Sequence, residues 1–206
     1  MIAIIDYGMG NLLSVKNALD YLGEDNQICS EPNQLIKADK FILPGIGGFP
    51  DCMKNLSDKG FIPVLNHLVL NEKRAIMGIC LGMQVMAKLG TEFQETEGLG
   101  WFDADIVNIN TVHNSAKIPN VGWEDIIYNK KSLLFKRLPT EPDFYLVHSF
   151  FMRFPEIDSP YIDAYYEIDG VKITAAVRKD NIFGSQFHPE KSSDFGMTLL
   201  ENFIDW

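Results

Sequence analysis

Cys80 lies between two glycines in Gly78-Ile79-Cys80-Leu81-Gly82, where the apolar run Ala75-Ile76-Met77 meets a stretch of helical spacing. A thiol raised on a tight strand-to-helix turn has the form of a nucleophile elbow, best known with serine. The flanking glycines permit the turn. Exposed N–H groups and the dipole at a helix start favour the thiolate over the thiol. The amide of Leu81, close behind, could donate to an oxyanion. The same pentapeptide also fits a buried structural cysteine, the commoner place for a free thiol. Chemistry therefore requires a base elsewhere in the chain.

Four histidines are available: His67, His113, His148 and His188. His67 falls on a helical stretch, which suits a solvent-facing or capping role. His113 sits in the polar loop 110–117 and is expected to be exposed. His188 differs, because it follows the strand-like run 182–187 and opens His188-Pro189-Glu190. Proline fixes the local backbone, so the imidazole and the carboxylate can emerge together at one strand end. A carboxylate bonded to one ring nitrogen sets the tautomer and leaves the other nitrogen for a thiol. A turn with an ion pair explains the tripeptide as well.

The elements that must position these residues are readable from periodicity. Residues 1–6 read as a buried strand closed by Tyr7-Gly8-Met9-Gly10. From Asn11, the residues Leu12, Val15, Ala18, Leu19 and Leu22 keep helical spacing up to Gly23. Strands at 27–29 and 40–43 follow, then helices over 49–70 with Pro63 opening the second. A strand at 74–79 and a helix over 81–89 come next. The second half predicts strands at 104–110, 121–128, 144–148, 161–168, 171–178 and 182–187, and a final helix at 195–204. Asp169-Gly170 marks a hairpin turn between two of these strands. The expected fold class is α/β, a mainly parallel central sheet with helices on both faces plus added antiparallel strands.

The 206 residues are 46% hydrophobic and hold no repeat or charge block, which predicts one domain over 1–206. A net charge of −10 repels phosphate backbones, and the basic patch Lys130-Lys131 with Lys136-Arg137 is too short to offset it. Nucleic acid is therefore not an expected partner. The apolar runs are too short to span a bilayer, and no basic leader precedes the first strand, so neither a membrane nor secretion is expected. Three cysteines, Cys29, Cys52 and Cys80, lack metal-ligand spacing and suit free thiols in a reducing, cytoplasmic compartment.

Taken together, the motifs resemble those of the class I (triad) glutamine amidotransferases. Gly78-Ile79-Cys80-Leu81-Gly82-Met83-Gln84 and Gln186-Phe187-His188-Pro189-Glu190 carry the likeness. Three further segments narrow it to the glutaminase subunits of imidazole glycerol phosphate synthases, which serve histidine biosynthesis. They are Asp6-Tyr7-Gly8-Met9-Gly10-Asn11, Leu43-Pro44-Gly45-Ile46-Gly47 and Tyr145-Leu146-Val147-His148-Ser149. The likeness covers the whole chain in order.

The resemblance implies that Cys80 forms a glutamyl thioester and releases ammonia, with His188 as base and acid and Glu190 orienting it. It implies that the amide of Ile46 or Gly47 joins that of Leu81 in an oxyanion hole, and that Gln84, Glu92 and Ser149 hold glutamine. His148 then becomes structural or substrate-adjacent. Asn11, Trp123 and Lys191 would meet a (β/α)8-barrel synthase (cyclase) subunit that receives the ammonia. No cofactor and no metal are implied. One departure stands out: the family reads Pro-His-Met-Gly-Trp-Asn where this chain has Pro119-Asn120-Val121-Gly122-Trp123-Glu124. That opens a second reading, a paralogue supplying ammonia to a surface-sugar amidotransferase. A third is a stand-alone γ-glutamyl cysteine hydrolase, against which the N-terminal motif and Trp123 argue. A non-catalytic binding module fits an intact Cys80, His188 and Glu190 least.

Overall fold

The structure, a computed structural model, describes residues 1–206. Strand β1 (Ile2–Ile5) leads to α1 (Leu12–Tyr21), β2 (Asn26–Cys29), β3 (Lys40–Gly45), α2 (Phe49–Asp58) and α3 (Phe61–Leu65). The last of these runs on in wider turns to Asn71. Next come β4 (Ala75–Cys80) and the single turn α4 (Leu81–Gln84), then β5 (Ala87–Gly90), β6 (Thr96–Glu97) and β7 (Phe102–Asn108). The remainder is β8 (Asn120–Asp125), β9 (Ile127–Tyr128), β10 (Asp143–His148), β11 (Phe150–Arg153), β12 (Ile162–Ile168), β13 (Val171–Lys179), β14 (Ile182–Ser185) and α5 (Ser193–Asp205).

Eight strands form the central sheet in the order β2-β1-β3-β4-β14-β13-β12-β9. The first five are mutually parallel and the last three antiparallel. Every residue of β1 and of β4 is buried, as strands covered on both faces must be. Alternate residues feed opposite cores. Ala3, Ile5, Phe41 and Leu43 meet Phe49, Leu56 and Phe61 of α2 and α3. Ile2, Ile4 and Ile42 meet Val15 and Leu19 of α1 and Leu199 and Phe203 of α5. Each such side chain contributes about 1.5–3 kcal/mol of burial. An exposed ion pair such as Lys54–Asp58 contributes about 0–1 kcal/mol, so the two cores hold the fold.

The Asp169-Gly170 hairpin forms as expected: both residues take positive φ, +49° and +81°, and Ile168 pairs with Val171 across them. Two elements differ from expectation. The helix expected over 81–89 stops at Gln84, and Ala87–Gly90 becomes β5, parallel to β7 and antiparallel to β6. The carbonyls that a longer helix would use are taken by the segment 98–102. Leu99 N bonds Val85 O, Gly100 N bonds Ala87 O and Trp101 N bonds Met86 O. The strand expected at 121–128 breaks at Ile126, with β8 pairing β10 in a separate ribbon and β9 joining the edge of the main sheet. Strand β11, antiparallel to β7, carries no periodicity long enough to announce it. No helix is long and apolar enough to cross a membrane.

Candidate active site

Strand β4 passes into α4 through Cys80, whose φ of +55° and ψ of −112° are strained for a residue with a side chain. The glycines on either side are required by close approach. A Cβ on Gly82 would lie 1.7 Å from the Leu43 carbonyl oxygen, and one on Gly78 would lie 2.5 Å from that of Gly82. The turn leaves the Cys80 side chain only slightly open to solvent. With α4 one turn long, the macrodipole expected behind the thiol shrinks to the free amides of that turn, Leu81 first.

Strand β14 lies beside β4 in parallel register, Ser185 against Ile79, so the chain leaving β14 emerges next to Cys80. There His188 Nδ1 sits 2.9 Å from Glu190 Oε1, and both side chains are almost wholly buried. His188 Nε2 and Glu190 Oε2 are buried without a partner in the protein. Burial disfavours a charged ring, but the Cys80 sulfur and the Glu190 carboxylate beside it outweigh that and push His188 up to about 9. The ring is therefore cationic at neutral pH, with a proton to give. Its backbone is clamped: His188 N bonds Tyr145 O at 2.9 Å, while Ser192 Oγ donates to His188 O at 2.6 Å and accepts from Tyr145 N at 3.0 Å. Sequence reasoning missed Ser192. Its only signal is a hydroxyl two residues beyond the carboxylate.

Gln84 is buried, and its amide nitrogen donates to Phe150 O at 2.9 Å and to Gln186 Oε1 at 3.0 Å. Both its protons are thus spent, leaving Oε1 for a ligand. Gln186 in turn donates to Cys80 Sγ at 3.6 Å, so Gln84 and Gln186 adjoin the thiol. Ser149 lies just before this Phe150 carbonyl, with its own carbonyl held by Ile109 N. Ile46 and Gly47 follow the end of β3, where Gly45 pairs with Cys80. Ile46 is 49% exposed and Gly47 has φ +104°. Glu92 reaches this loop rather than the thiol, its Oε2 accepting from Phe49 N at 2.8 Å at the start of α2.

The three expected junction residues share one rim. Asn11 heads α1, which abuts the turn carrying Lys191. Trp123, 48% exposed, meets the Tyr145 ring edge-on at 6.1 Å, and Lys191 Nζ lies 5.9 Å from the same ring. Tyr145, whose backbone clamps His188, therefore joins that rim to the His188–Glu190 pair.

The other histidines separate. His148 is buried with Nδ1 on Phe150 O at 2.8 Å and Nε2 on the Tyr166 hydroxyl at 3.0 Å, and desolvation pushes it down to about 4. It is a neutral structural ring. His67 is exposed beside Glu72. His113, expected in the open, is largely covered and meets Asp169 at 3.0 Å, because its loop folds onto the β12–β13 hairpin. The basic patch is partly tied down, with Arg137 bonded to Asn202 and near Glu201 and Asp205 of α5. No group of three or more His, Cys, Asp or Glu side chains gathers to hold a metal ion.

The family model for glutamine amidotransferase class-I matches residues 3–206. The chain belongs to the class I glutamine amidotransferases. Its curated relatives include three named as imidazole glycerol phosphate synthase subunits. HisH 1 of Campylobacter jejuni strain RM1221 is 44% identical, covering 99% of both chains. HisH 2 of Methanococcus maripaludis is 43% identical over 99% of this chain and 98% of that one. HisH 2 of Vibrio vulnificus is 41% identical over 100% and 94%. Among solved structures, PurLQS from Thermotoga maritima superposes with a TM-score of 0.77 at 17% identity, covering 99% and 97%. A crystal structure of a glutamine amidotransferase gives 0.77 at 19% over 99% and 97%. At that identity these two show the shared fold, which is the α/β class expected from the alternation of strands and helices. Amidotransferases of this class are enzymes, and the elbow with its parallel neighbour strand is where the chain places Cys80 beside His188.

Proposed function

We propose that this chain is the glutaminase subunit of an imidazole glycerol phosphate synthase, one cytoplasmic domain over residues 1–206 that hydrolyses L-glutamine to glutamate and ammonia. The observation that carries the reading is the His188–Glu190 pair beside Cys80, with Nε2 buried and unpartnered. The free, buried cysteines agree with a reducing compartment.

Cys80 Sγ, its proton held on the His188 ring, attacks the side-chain carboxamide carbon of glutamine as the thiolate, and the C–O electron pair moves onto oxygen as an oxyanion. The amide of Leu81 and that of Ile46 or Gly47 donate to it. His188 gives its proton to the leaving nitrogen, the C–N bond breaks and ammonia departs, leaving a thioester. The neutral ring then takes a proton from water, hydroxide adds to the thioester, and glutamate leaves as the sulfur departs. Glu190 holds the ring in the working tautomer throughout. Gln84, Glu92 and Ser149 seat the substrate.

Ammonia passes to a (β/α)8-barrel synthase subunit docked on the rim of Asn11, Trp123 and Lys191. The docking also gates hydrolysis. Glycines on both sides of Ile46 leave its peptide groups free to reorient, because glycine tolerates φ values closed to other residues. A resting orientation that points a carbonyl at the thioester oxygen removes one donor, at a cost on the order of 10²–10³ in rate. Glutaminase turnover is measured for the chain alone, with the barrel subunit, and with barrel plus acceptor ligand. A rise by that order across the series is expected, and equal rates in all three contradict the gate and favour a stand-alone hydrolase.

A second reading, an ammonia donor to a sugar-modifying amidotransferase, is favoured by one observation. Asn120 and Glu124 replace the family's His and Asn on the strand that presents Trp123. Pairing the chain with barrel subunits of each system decides between them by which one raises turnover.

A further inference from the structure

A run of hydrogen bonds crosses the molecule from the β8 ribbon to the thiol, and the reaction above uses only its last members. Asn120 Nδ2 donates to Glu124 Oε1 at 3.1 Å and to the Tyr166 hydroxyl at 3.2 Å. The hydroxyl has one proton, which goes to His148 Nε2 at 3.0 Å. That fixes the ring as the Nδ1–H tautomer, donating to Phe150 O at 2.8 Å. The same carbonyl accepts Gln84, Gln84 donates to Gln186, and Gln186 ends on Cys80 Sγ. Donor meets acceptor at every link.

Tyr166, His148, Gln84 and Gln186 are all buried, so none of these four has bulk water as a substitute partner. Removing one donor therefore strands its acceptor at the full desolvation penalty. On β8, even positions face inward and odd ones outward, so Asn120 and Glu124 meet on the inner face while Val121 and Trp123 are exposed behind them. Gly122 stands between them with nothing within 4 Å of a Cβ there, leaving the space in which the two side chains meet. Asn120 and Glu124, two of the three positions at which the segment departs from its family's pattern, are thus bonded to each other and form one unit with Tyr166.

We propose that Asn120, Tyr166 and His148 are positioning residues that carry the placement of β8 through the Phe150 carbonyl to the Gln84–Gln186 pair beside Cys80. The proposal rests on the glutaminase reading, since it assigns these residues to seating glutamine rather than to bond making. It also gives a docked subunit a physical route from the strand of Trp123 to the substrate pocket, with a discrete hydrogen-bond state to bias.

The test uses the full chain with its barrel subunit, with Tyr166→Phe, Asn120→Ala and the double variant. Tyr166→Phe keeps the ring and removes the proton donor to His148. Its KM for glutamine is expected to rise about tenfold with kcat within about threefold of wild type, the pattern of lost ground-state seating. Nitrogen-15 NMR of His148 should change from the single Nδ1–H tautomer to a mixture. Asn120→Ala is expected to raise KM about threefold, and the double variant should be no worse than Tyr166→Phe, because both break one network. Folding is checked by thermal unfolding. Should Tyr166→Phe fail to fold, Asn120→Ala on the half-exposed ribbon carries the KM readout, and a wild-type KM there overturns the proposal. Wild-type KM and an unchanged tautomer in a folded variant overturn the proposal, as do effects that multiply. A wild-type complex without glutamine hydrolysis overturns the glutaminase reading instead, and the tautomer shift alone then decides the network.

Discussion

Strands β3, β4 and β14 end side by side in glycine turns, a strained cysteine and His188, whereas β13, β12 and β9 run antiparallel beside them, with β12 and β13 joined by an ordinary hairpin. A buried histidine also lies against each half of the sheet: His188 just beyond β14, and His148 at the end of β10 in the separate ribbon. His188 leaves the parallel half and keeps a carboxylate and a sulfur for company, so it is pushed up to about 9. His148 leans on Tyr166 of β12 and a backbone carbonyl, so desolvation prevails and it is pushed down to about 4. The same side chain, equally hidden, becomes cationic beside one set of partners and stays neutral beside the other. What decides is the charge of the nearest partners rather than depth of burial. Parallel strand ends converge on one edge and can gather reactive groups there.

The comparison breaks first if the two histidines are interchangeable. His188→Ala is expected to lower glutamine hydrolysis on the order of 10³-fold or more, because it removes both base and acid. Glu190→Gln is expected to be at least about tenfold milder, since it orients the ring without moving a proton to substrate. Steady-state kinetics of the complex rank the two, and equal losses contradict the roles assigned to them.

The next contrast is in the glycines. Gly82→Ala is expected to destabilise the chain by about 3 kcal/mol or more, because a Cβ 1.7 Å from the Leu43 carbonyl oxygen forces the backbone apart. Gly170→Ala, on the antiparallel hairpin, meets nothing within 4 Å and bears only its positive φ. That costs about 1–2 kcal/mol. Denaturant unfolding of both variants measures the difference, and similar losses would mean that the elbow is no tighter than a hairpin.

The smallest effects lie in pH dependence, on opposite limbs. The folded pKa of His148 lies below the ordinary 6.5, so its neutral ring is harmless above 6.5. Stability is lost as pH falls from 6.5 towards about 4, where the unfolded chain binds a proton that the fold refuses. The loss is on the order of 3 kcal/mol at most. His148→Asn should flatten this acid limb. His188 has a raised folded pKa, so its contribution is whole below 6.5 and fades as pH rises through about 9. His188→Gln should flatten the alkaline limb only. Unfolding free energies across pH 4–10 check both, and a variant that flattens the wrong limb contradicts the assignment.

Much of this was readable in the amino-acid order because the parallel half speaks in local signals. Ala75-Ile76-Met77 is a continuous apolar run, and the glycines around Cys80 announce a turn that few other residues could make. His188-Pro189-Glu190 carries its ion pair within three residues. The hidden parts depend on long-range partners. Helical spacing after Gln84 was overruled by the segment 98–102, which claims the carbonyls of Val85, Met86 and Ala87. Ser192 and Tyr145, bonded to each other, together clamp the His188 backbone, and neither is marked by spacing. Nor does any pattern join Asn120 to Tyr166, 46 positions away. Chemistry concentrated in short motifs can be read directly, while the bracing around it exists only once the chain has folded.

The most direct test of the central claim is product formation by the complex carrying Cys80→Ser, supplied in parallel with glutamine and with an ammonium salt. A serine hydroxyl is far less acidic than a thiol and is poorly activated by the same ring. The prediction is that glutamine no longer supports synthesis while ammonium does, at a rate comparable to wild type. Undiminished synthesis from glutamine would remove Cys80 from the reaction. Absence of product from either source would mean that Cys80 does more than release ammonia.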